Sequence, residues 1–393
     1  MEEVVVIVGA GPSGLAVAAC LTSHFIPNVI LERDDCIASL WRKRCYNRIT
    51  LHLGKQYCEL PHAKHPPATP MFIPKDEFIR YLDDYASRFQ LRVLLRRNVE
   101  SAEFDAAVGR WRVAARNLAS GVAEEYLARY LVVASGENDC MVVPEIPGLD
   151  GFDGPVLHSC RFRSGSDFKG KDVLVVGCGN SGMEIAFDLA DSGAKTSIVV
   201  RNQVHLVTKE IWLFGMFIMK FLPLHWVDMI VLFLCYVVFG NTSKYGMHRP
   251  AKGPMYLKAN STIYPVVDVG TFEKIKSGEI QVLPSIANIE GSSVTLSDGK
   301  QYHFDAIILA TGYRSTIKKW LKSDDCLIGD DGMAKQKFPD HWKGRNGLYC
   351  AGLVRRGIYG SAEDALSIAN DISKSYQIDH GQTLEKVPKP AKV

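Results

Sequence analysis

The sequence predicts an α/β protein of two Rossmann-like domains, the second inserted in the first, with a helical apolar insertion in the second. Three observations predict it. A short β-branched run at the start of the chain enters a glycine-rich turn and then a helical pattern. The same unit recurs from Asp172, and a long apolar stretch, 211–239, follows it.

In the first unit, Val4 to Val8 reads as a strand buried on both faces. It leads into Gly9-Ala10-Gly11-Pro12-Ser13-Gly14 and a helix from Leu15 to Leu21. Gly9 permits the tight turn, Gly11 leaves room for a pyrophosphate against the backbone, and Gly14 lets the helix pack close to the strand. The helix N-terminal amides then face the phosphates. The next strand, Val29 to Leu31, ends on Glu32, 18 residues after Gly14. A carboxylate there accepts hydrogen bonds from ribose hydroxyls.

The second unit repeats this order. Asp172 to Val176 enters Gly177-Cys178-Gly179-Asn180-Ser181-Gly182 and a helix from Met183 to Leu189. The strand Thr196 to Val200 ends on Arg201, 19 residues after Gly182. The terminal charge is therefore inverted. Arg201 can pair with a ribose 2′-phosphate that an acid would repel, so NADPH is expected at the second turn. The bland alternative is a surface arginine at a strand end. Glu32 suits an unphosphorylated ribose, and a chain that binds NADPH needs a flavin to accept the hydride, so FAD is expected at the first turn. Two more strands, Tyr130–Val133 and Ala306–Leu309, end in Ala134-Ser135-Gly136 and Ala310-Thr311-Gly312. Such small residues let backbone pass close to a ligand at a sheet edge.

Lys220, Pro223, His225 and Asp228 interrupt the apolar stretch, and the clean remainder, Met229–Phe239, is eleven residues. A spanning helix needs about 20, so a buried or interfacial helical pair is expected, with peripheral membrane contact left open. Composition is that of a globular protein, 47% hydrophobic and 23% charged. A net charge of +3, from 46 basic and 43 acidic residues, gives no case for nucleic acid. Ten cysteines without a C-x-x-C pair suggest neither a metal site nor a disulfide framework, and a reducing, cytoplasmic setting is expected. The first strand begins almost at Met1, so no signal peptide is expected.

Between the two turns lies Phe152-x-Gly154-x-x-x-His158-x-x-x-Phe162, which resembles the identifying signature of class B flavin monooxygenases. Gly177 to Glu184, Leu31-Glu32-Arg33 to Leu40-Trp41, Ala310 to Ser315 and Gly347 to Gly357 are similar, more closely, to the plant YUCCA branch. The resemblance spans essentially the whole chain. It implies NADPH- and oxygen-dependent oxidative decarboxylation of indole-3-pyruvate to indole-3-acetate through a flavin 4a-hydroperoxide, the auxin-forming step. It also implies Arg33, Leu40 and Trp41 around the flavin, with plain core packing as the alternative for Trp41. Peripheral contact with the endoplasmic reticulum face is an alternative to a purely cytoplasmic setting. Ser135 replaces the family's threonine but keeps a hydroxyl, and Gly54 stands where many relatives have proline.

His52 lies in a loop similar to one that places an asparagine beside the flavin in related enzymes. Its imidazole is either a donor to the reacting oxygen or a packed structural histidine. Lys55 either attracts the substrate carboxylate or is solvated. His158 is read as stabilising the hinge between domains. Arg355 and Arg356 are candidates to meet NADP⁺ or the ketoacid. Near the C-terminus, Ser361-Ala362-Glu363-Asp364 reads as a helix start with acids in its first turn, and the resemblance places Asp364 near the flavin. The FAD domain is expected over 1–165 with 303–393, and the NADPH domain over 166–302, including the apolar segment 211–240. An N- or S-oxygenating enzyme of soft nucleophiles keeps this fold with another substrate. A dithiol or quinone reductase is disfavoured by the missing C-x-x-C, and a non-enzymatic membrane protein by the two intact turns.

Overall fold

A computed structural model describes residues 1–261, 263–323 and 326–379 of the 393 in the chain. Residues 380–393, expected within the first domain, lie outside the described residues.

The first sheet is built on β1 (Glu2–Val8), whose turn leads into α1 (Pro12–Ser23) and then β2 (Asn28–Glu32). Strand β3 (Val93–Leu95) pairs beyond β2; β4 (Arg97–Asp105), β5 (Arg110–Asn117) and β6 (Ala123–Val133) form an antiparallel meander that returns to β1. The order is β3-β2-β1-β6-β5-β4, and the strand Leu348–Cys350 pairs parallel to β6. β1 is parallel to β2 and β6, with Val8 beside Leu31 and Val133. That register brings the carboxyl ends of β1, β2 and β6 together, where a doubly wound sheet binds its ligands.

The second sheet is wholly parallel: Ile280–Leu283, Lys195–Val199, Asp172–Val176, Ala306–Leu309 and Val156–His158, in that spatial order. Asp172–Val176 is central because Val173 to Val175 are inaccessible to solvent, the continuous apolar run of a doubly covered strand. The insertion is as the sequence predicts, since the first sheet resumes at Leu348 after the second is complete. One expectation needs correcting. Val156–His158 and Ala306–Leu309, given to the first domain, hydrogen-bond in the second sheet, so boundaries at 165 and 303 cut through it. Ala306–Leu309 runs beside Asp172–Val176 as β6 runs beside β1, and spacing between glycine motifs does not reveal that pairing.

The apolar stretch folds as two helices, Lys209–Ile218 and Leu224–Phe239, broken at Pro223. Val227, Val231 and Cys235, four residues apart, face the core, while Phe221, Trp226, Phe233 and Val237 face solvent. Asp228, an interruption in sequence, is buried: its carboxylate accepts from the amides of Met255 and Tyr256 at 2.8 and 3.0 Å and so anchors the helix Pro254–Asn260. No helix among the described residues is long and apolar enough to cross a membrane.

Candidate active site

At the first turn, Gly9 has φ +106°, and a Cβ there would lie 2.7 Å from the Ala134 carbonyl oxygen. At Gly14 a Cβ would lie 1.9 Å from the oxygen of Gly9, which is the close helix–strand approach the motif predicts. At Gly11 a Cβ would meet nothing within 4 Å. Beside this open edge lies a cavity of about 710 Å³. Gly9, Gly11, Ser13, Glu32, Arg33, Leu40, Trp41, Ser135 and Gly136 all line it, and Gly14 sits behind as the packing glycine. Residues up to 127 apart in sequence, Gly9 and Gly136, thus converge on one cavity because β1, β2 and β6 end there.

Several polar groups around this cavity are already engaged, and one buried hydroxyl is not. Glu32 is buried, and its carboxylate accepts from the amides of Ala10 at 2.7 Å and Asp34 at 2.8 Å, tying the turn to β2. Burial nonetheless pushes its carboxyl above the ordinary range, since those two amides only partly replace water. Arg33 pairs with Asp139 at 2.6 Å, and Arg44 approaches the same carboxylate at 3.8 Å. Ser13 donates to the Ser361 hydroxyl at 2.8 Å. The Ser135 hydroxyl is buried with no hydrogen-bond partner among the described residues. A buried hydroxyl left unmatched costs roughly 1–3 kcal/mol, so its position on a cavity wall marks a place for a polar ligand.

The second turn repeats the backbone. Gly177 has φ +108°, a Cβ at Gly182 would lie 1.9 Å from the Gly177 oxygen, and one at Gly179 would meet nothing within 4 Å. Asn180 accepts from the Val267 amide at 2.7 Å, and Ser181 hydrogen-bonds Tyr46. Arg201 is exposed just past the strand Lys195–Val199 and has no side-chain partner among the described residues. Thr311 donates to the Val142 carbonyl at 2.5 Å. The Gly312 carbonyl accepts from His158 Nε2 at 3.1 Å. Nδ1 of His158 accepts from the Cys160 amide at 3.3 Å, which fixes the neutral Nε2–H tautomer. His158 is thus a tie at the strand ends, in keeping with a hinge role.

His52 lies outside the first cavity's lining. Its Nε2 meets Glu184 Oε1 at 2.6 Å, on the helix that follows the second turn. The Lys55 ammonium donates to the carbonyls of Pro67 and Thr69 at 2.9 and 2.7 Å and closes its own loop. Arg355 pairs with Glu137 at 2.8 Å, and Arg356 with Glu363 at 2.5 Å. The C-terminal helix begins at Gly357, four residues before the expected start. Ser361 is not its cap but packs against Ser13 across the sheet end. Asp364 therefore lies well inside the helix, where it accepts from His341 at 2.7 Å and from the Gly352 amide at 2.9 Å. Capping does not explain it, and both its oxygens hold protein groups that support the turn.

Sequence reasoning missed Glu184, Lys209 and Tyr46. Glu184 carried a signal, a charged residue at a core position of an otherwise apolar helix face. Lys209 opens the helix before the apolar run, and Tyr46 had no local signal. Asp139, which holds Arg33, sits in an irregular loop and had none either.

Comparison with known proteins matches this architecture. The profile of the pyridine nucleotide-disulphide oxidoreductase family matches residues 6–214. A flavin-containing monooxygenase from Stenotrophomonas maltophilia shares the fold, with a TM-score of 0.70 at 20% identity over 95% of this chain and 99% of its own. The probable indole-3-pyruvate monooxygenase YUCCA10 of Arabidopsis thaliana is 48% identical over 95% of this chain and 97% of its own length. The indole-3-pyruvate monooxygenase YUCCA1 of Oryza sativa subsp. japonica is 47% identical over 93% and 90%. With close to half its residues shared over nearly the full length of both chains, the chain belongs to the YUCCA family of indole-3-pyruvate monooxygenases.

Proposed function

We propose that this protein is an FAD- and NADPH-dependent monooxygenase that converts indole-3-pyruvate to indole-3-acetate. NADPH supplies two electrons, and the bond between the carboxyl and keto carbons breaks with release of carbon dioxide. One oxygen atom of dioxygen enters the new carboxylate and the other leaves as water. The observation that carries the cofactor reading is the pairing of an open Gly11 edge with the unpartnered Ser135 hydroxyl on one 710 Å³ cavity. A pyrophosphate fits such a backbone edge at a helix N-terminus.

In this reading the first domain, 1–165 with 303–393 but without the strands Val156–His158 and Ala306–Leu309, holds FAD through Gly9, Gly11, Ser13, Gly14, Glu32, Arg33, Leu40, Trp41, Ser135 and Gly136. Asp364 supports that site through Gly352. The second domain, 166–302 with the strands Val156–His158 and Ala306–Leu309 added, holds NADPH through Gly177, Gly179, Asn180, Ser181, Gly182, Arg201, Thr311 and Gly312. When bound, the flavin accepts hydride from NADPH and activates dioxygen. The protein's share is placement and exclusion of water. Glu32 retains lone pairs for ribose hydroxyls, and Arg201 has its guanidinium free for a 2′-phosphate. His52 remains a candidate catalytic residue with its ring oriented by Glu184. With Nε2–H donated to that carboxylate, Nδ1 is the atom left for a ligand, and it carries a proton only when the ring is doubly protonated.

Peripheral membrane contact belongs to the same proposal. The outer face of the helix pair exposes Phe217, Phe221, Trp226 and Phe233. Between residues 211 and 260 Asp228 is the only acid, against Lys220, Lys244, Arg249, Lys252 and Lys258. An apolar face with a basic surround suits a lipid surface. The reaction is tested by following NADPH oxidation across a panel of 2-oxo acids, amines and thioethers, with products identified by mass. Stimulation by an amine or thioether and not by the 2-oxo acid would replace this reading with oxygenation of soft nucleophiles.

A further inference from the structure

A second cavity, of about 430 Å³, lies between the loop 56–72 of the first domain and the helix Lys209–Ile218 of the second. Tyr57, Met71, Phe72, Leu213, Phe214 and Phe217 make most of its wall. Its size lies within the range of small-molecule sites, and the lining is apolar and largely aromatic. Lys209 does not itself line the cavity but stands beside it, next in sequence to Glu210 and against the Phe72 ring, both of which do line it. The Lys209 ammonium donates to the Thr50 hydroxyl and lies 5.1 Å from the centre of the Phe72 ring.

An ammonium has three donors, and hydroxyl and ring together leave this one short of an anion. Lys209 forms no ion pair among the described residues, although burial penalises its charge. The charged groups around it are accounted for. Glu184 is within electrostatic reach, but its Oε1 is taken by His52 at 2.6 Å. Glu210 is exposed at the mouth of the cavity. Arg48, a like charge, is directed to Asp188 at 3.8 Å. Lys55 donates to the Pro67 and Thr69 carbonyls, and Arg355 and Arg356 are held by Glu137 and Glu363.

We propose that this cavity is the subsite for an aryl 2-oxo acid, with the aromatic ring among Tyr57, Phe72 and Phe214 and the carboxylate on the Lys209 ammonium. The inference rests on the reading of the reaction above and assigns that substrate its place. It also gives a reason for the domain junction to lie beside the His52–Glu184 contact: the substrate site has one wall from each domain.

The test uses the full-length, flavin-loaded enzyme and two measurements, steady-state turnover and calorimetric binding of indole-3-pyruvate to the oxidised protein. Lys209→Met is expected to weaken ketoacid binding and raise its KM about ten- to a hundredfold, the loss of a charge-assisted hydrogen bond, with a much smaller change in the KM for NADPH. Lys209→Arg should recover part of the loss. Leu213→Trp, which fills the cavity and leaves the lysine in place, should impair indole-3-pyruvate more than phenylpyruvate. Ketoacid binding unchanged in both Lys209→Met and Leu213→Trp would overturn the proposal. So would a comparable loss from Lys258→Met, the lysine over the Trp212 ring at 4.9 Å, with Lys209→Met silent. The two readings fail separately. Wild-type enzyme that binds the ketoacid through Lys209 without consuming it sinks the reaction and leaves the subsite. Normal turnover by Lys209→Met sinks the subsite and leaves the reaction.

Discussion

His52 and Glu184 meet across the junction of the two domains, Nε2 to Oε1 at 2.6 Å, with Glu184 only 2% exposed. Tyr46, also from the first domain, hydrogen-bonds the same carboxylate. The helix that begins at the second glycine turn is thereby fastened to the loop below the first. Removing a buried acceptor strands its donors at a cost of about 1–3 kcal/mol. Glu184→Ala should accordingly lower the thermal midpoint by several degrees, while Glu184→Gln, which keeps an acceptor oxygen, should recover part of it. Equal midpoints for Glu184→Ala and the parent protein, by differential scanning calorimetry, would remove the contact from the account.

The glycines of one turn should respond differently to the same methyl group. Gly14→Ala drives a Cβ to within 1.9 Å of the Gly9 carbonyl oxygen and should prevent soluble folding. Gly11→Ala meets no protein atom within 4 Å and has ordinary backbone angles, so it should fold. Its methyl would instead occupy the pyrophosphate edge, and the purified variant should be largely colourless. A folded Gly11→Ala protein with full flavin absorbance would contradict FAD at the first turn.

Arg201 offers a cleaner separation of binding from stability. It is exposed and has no side-chain partner among the described residues, so Arg201→Ala should leave the melting temperature unchanged. Loss of a charge-assisted bond to a 2′-phosphate, worth about 1.5–3 kcal/mol, should raise the KM for NADPH by tens of fold and spare NADH. Equal losses with both nucleotides would mean that Arg201 does not read the phosphate.

Stability should fall on the acid side partly through His158. Burial holds its imidazole below the ordinary histidine range, against the raising effect of the Gly312 carbonyl. Unfolded His158 therefore takes up a proton at a higher pH than folded His158 does. Its contribution is present above the unfolded pKa of about 6.5 and is lost as pH falls from there toward the folded value. His205, buried and bonded to the Lys252 carbonyl at 2.7 Å, is shifted in the same direction. Denaturant midpoints measured from pH 7.5 to 5 should decline, and the decline should be shallower in His158→Gln. A slope unchanged by that substitution would place the acid sensitivity elsewhere.

The glycine turns and the strands and helices that flank them were legible because backbone rules act locally: Gly9, Gly14, Gly177 and Gly182 meet the contacts their spacing implies. The helical pair was legible from Pro223 and from the length of the apolar run. What escaped was set by tertiary contact. Ser361 has the look of a helix cap but hydrogen-bonds Ser13, 348 residues away in sequence. Lys55 and Lys209 are both lysines, and only the fold shows that one closes a loop while the other lies against the Phe72 ring beside an aromatic cavity. His52 was singled out, but its partner Glu184 is 132 residues distant and belongs to the other domain.

The most direct test of the central claim is the fate of isotopic oxygen. Enzyme, NADPH and indole-3-pyruvate are incubated under ¹⁸O₂ with catalase present, because free hydrogen peroxide decarboxylates 2-oxo acids without an enzyme. The account predicts one indole-3-acetate and one carbon dioxide per NADPH oxidised, with a single ¹⁸O in the acid. NADPH oxidation that yields no labelled acid under these conditions would contradict it.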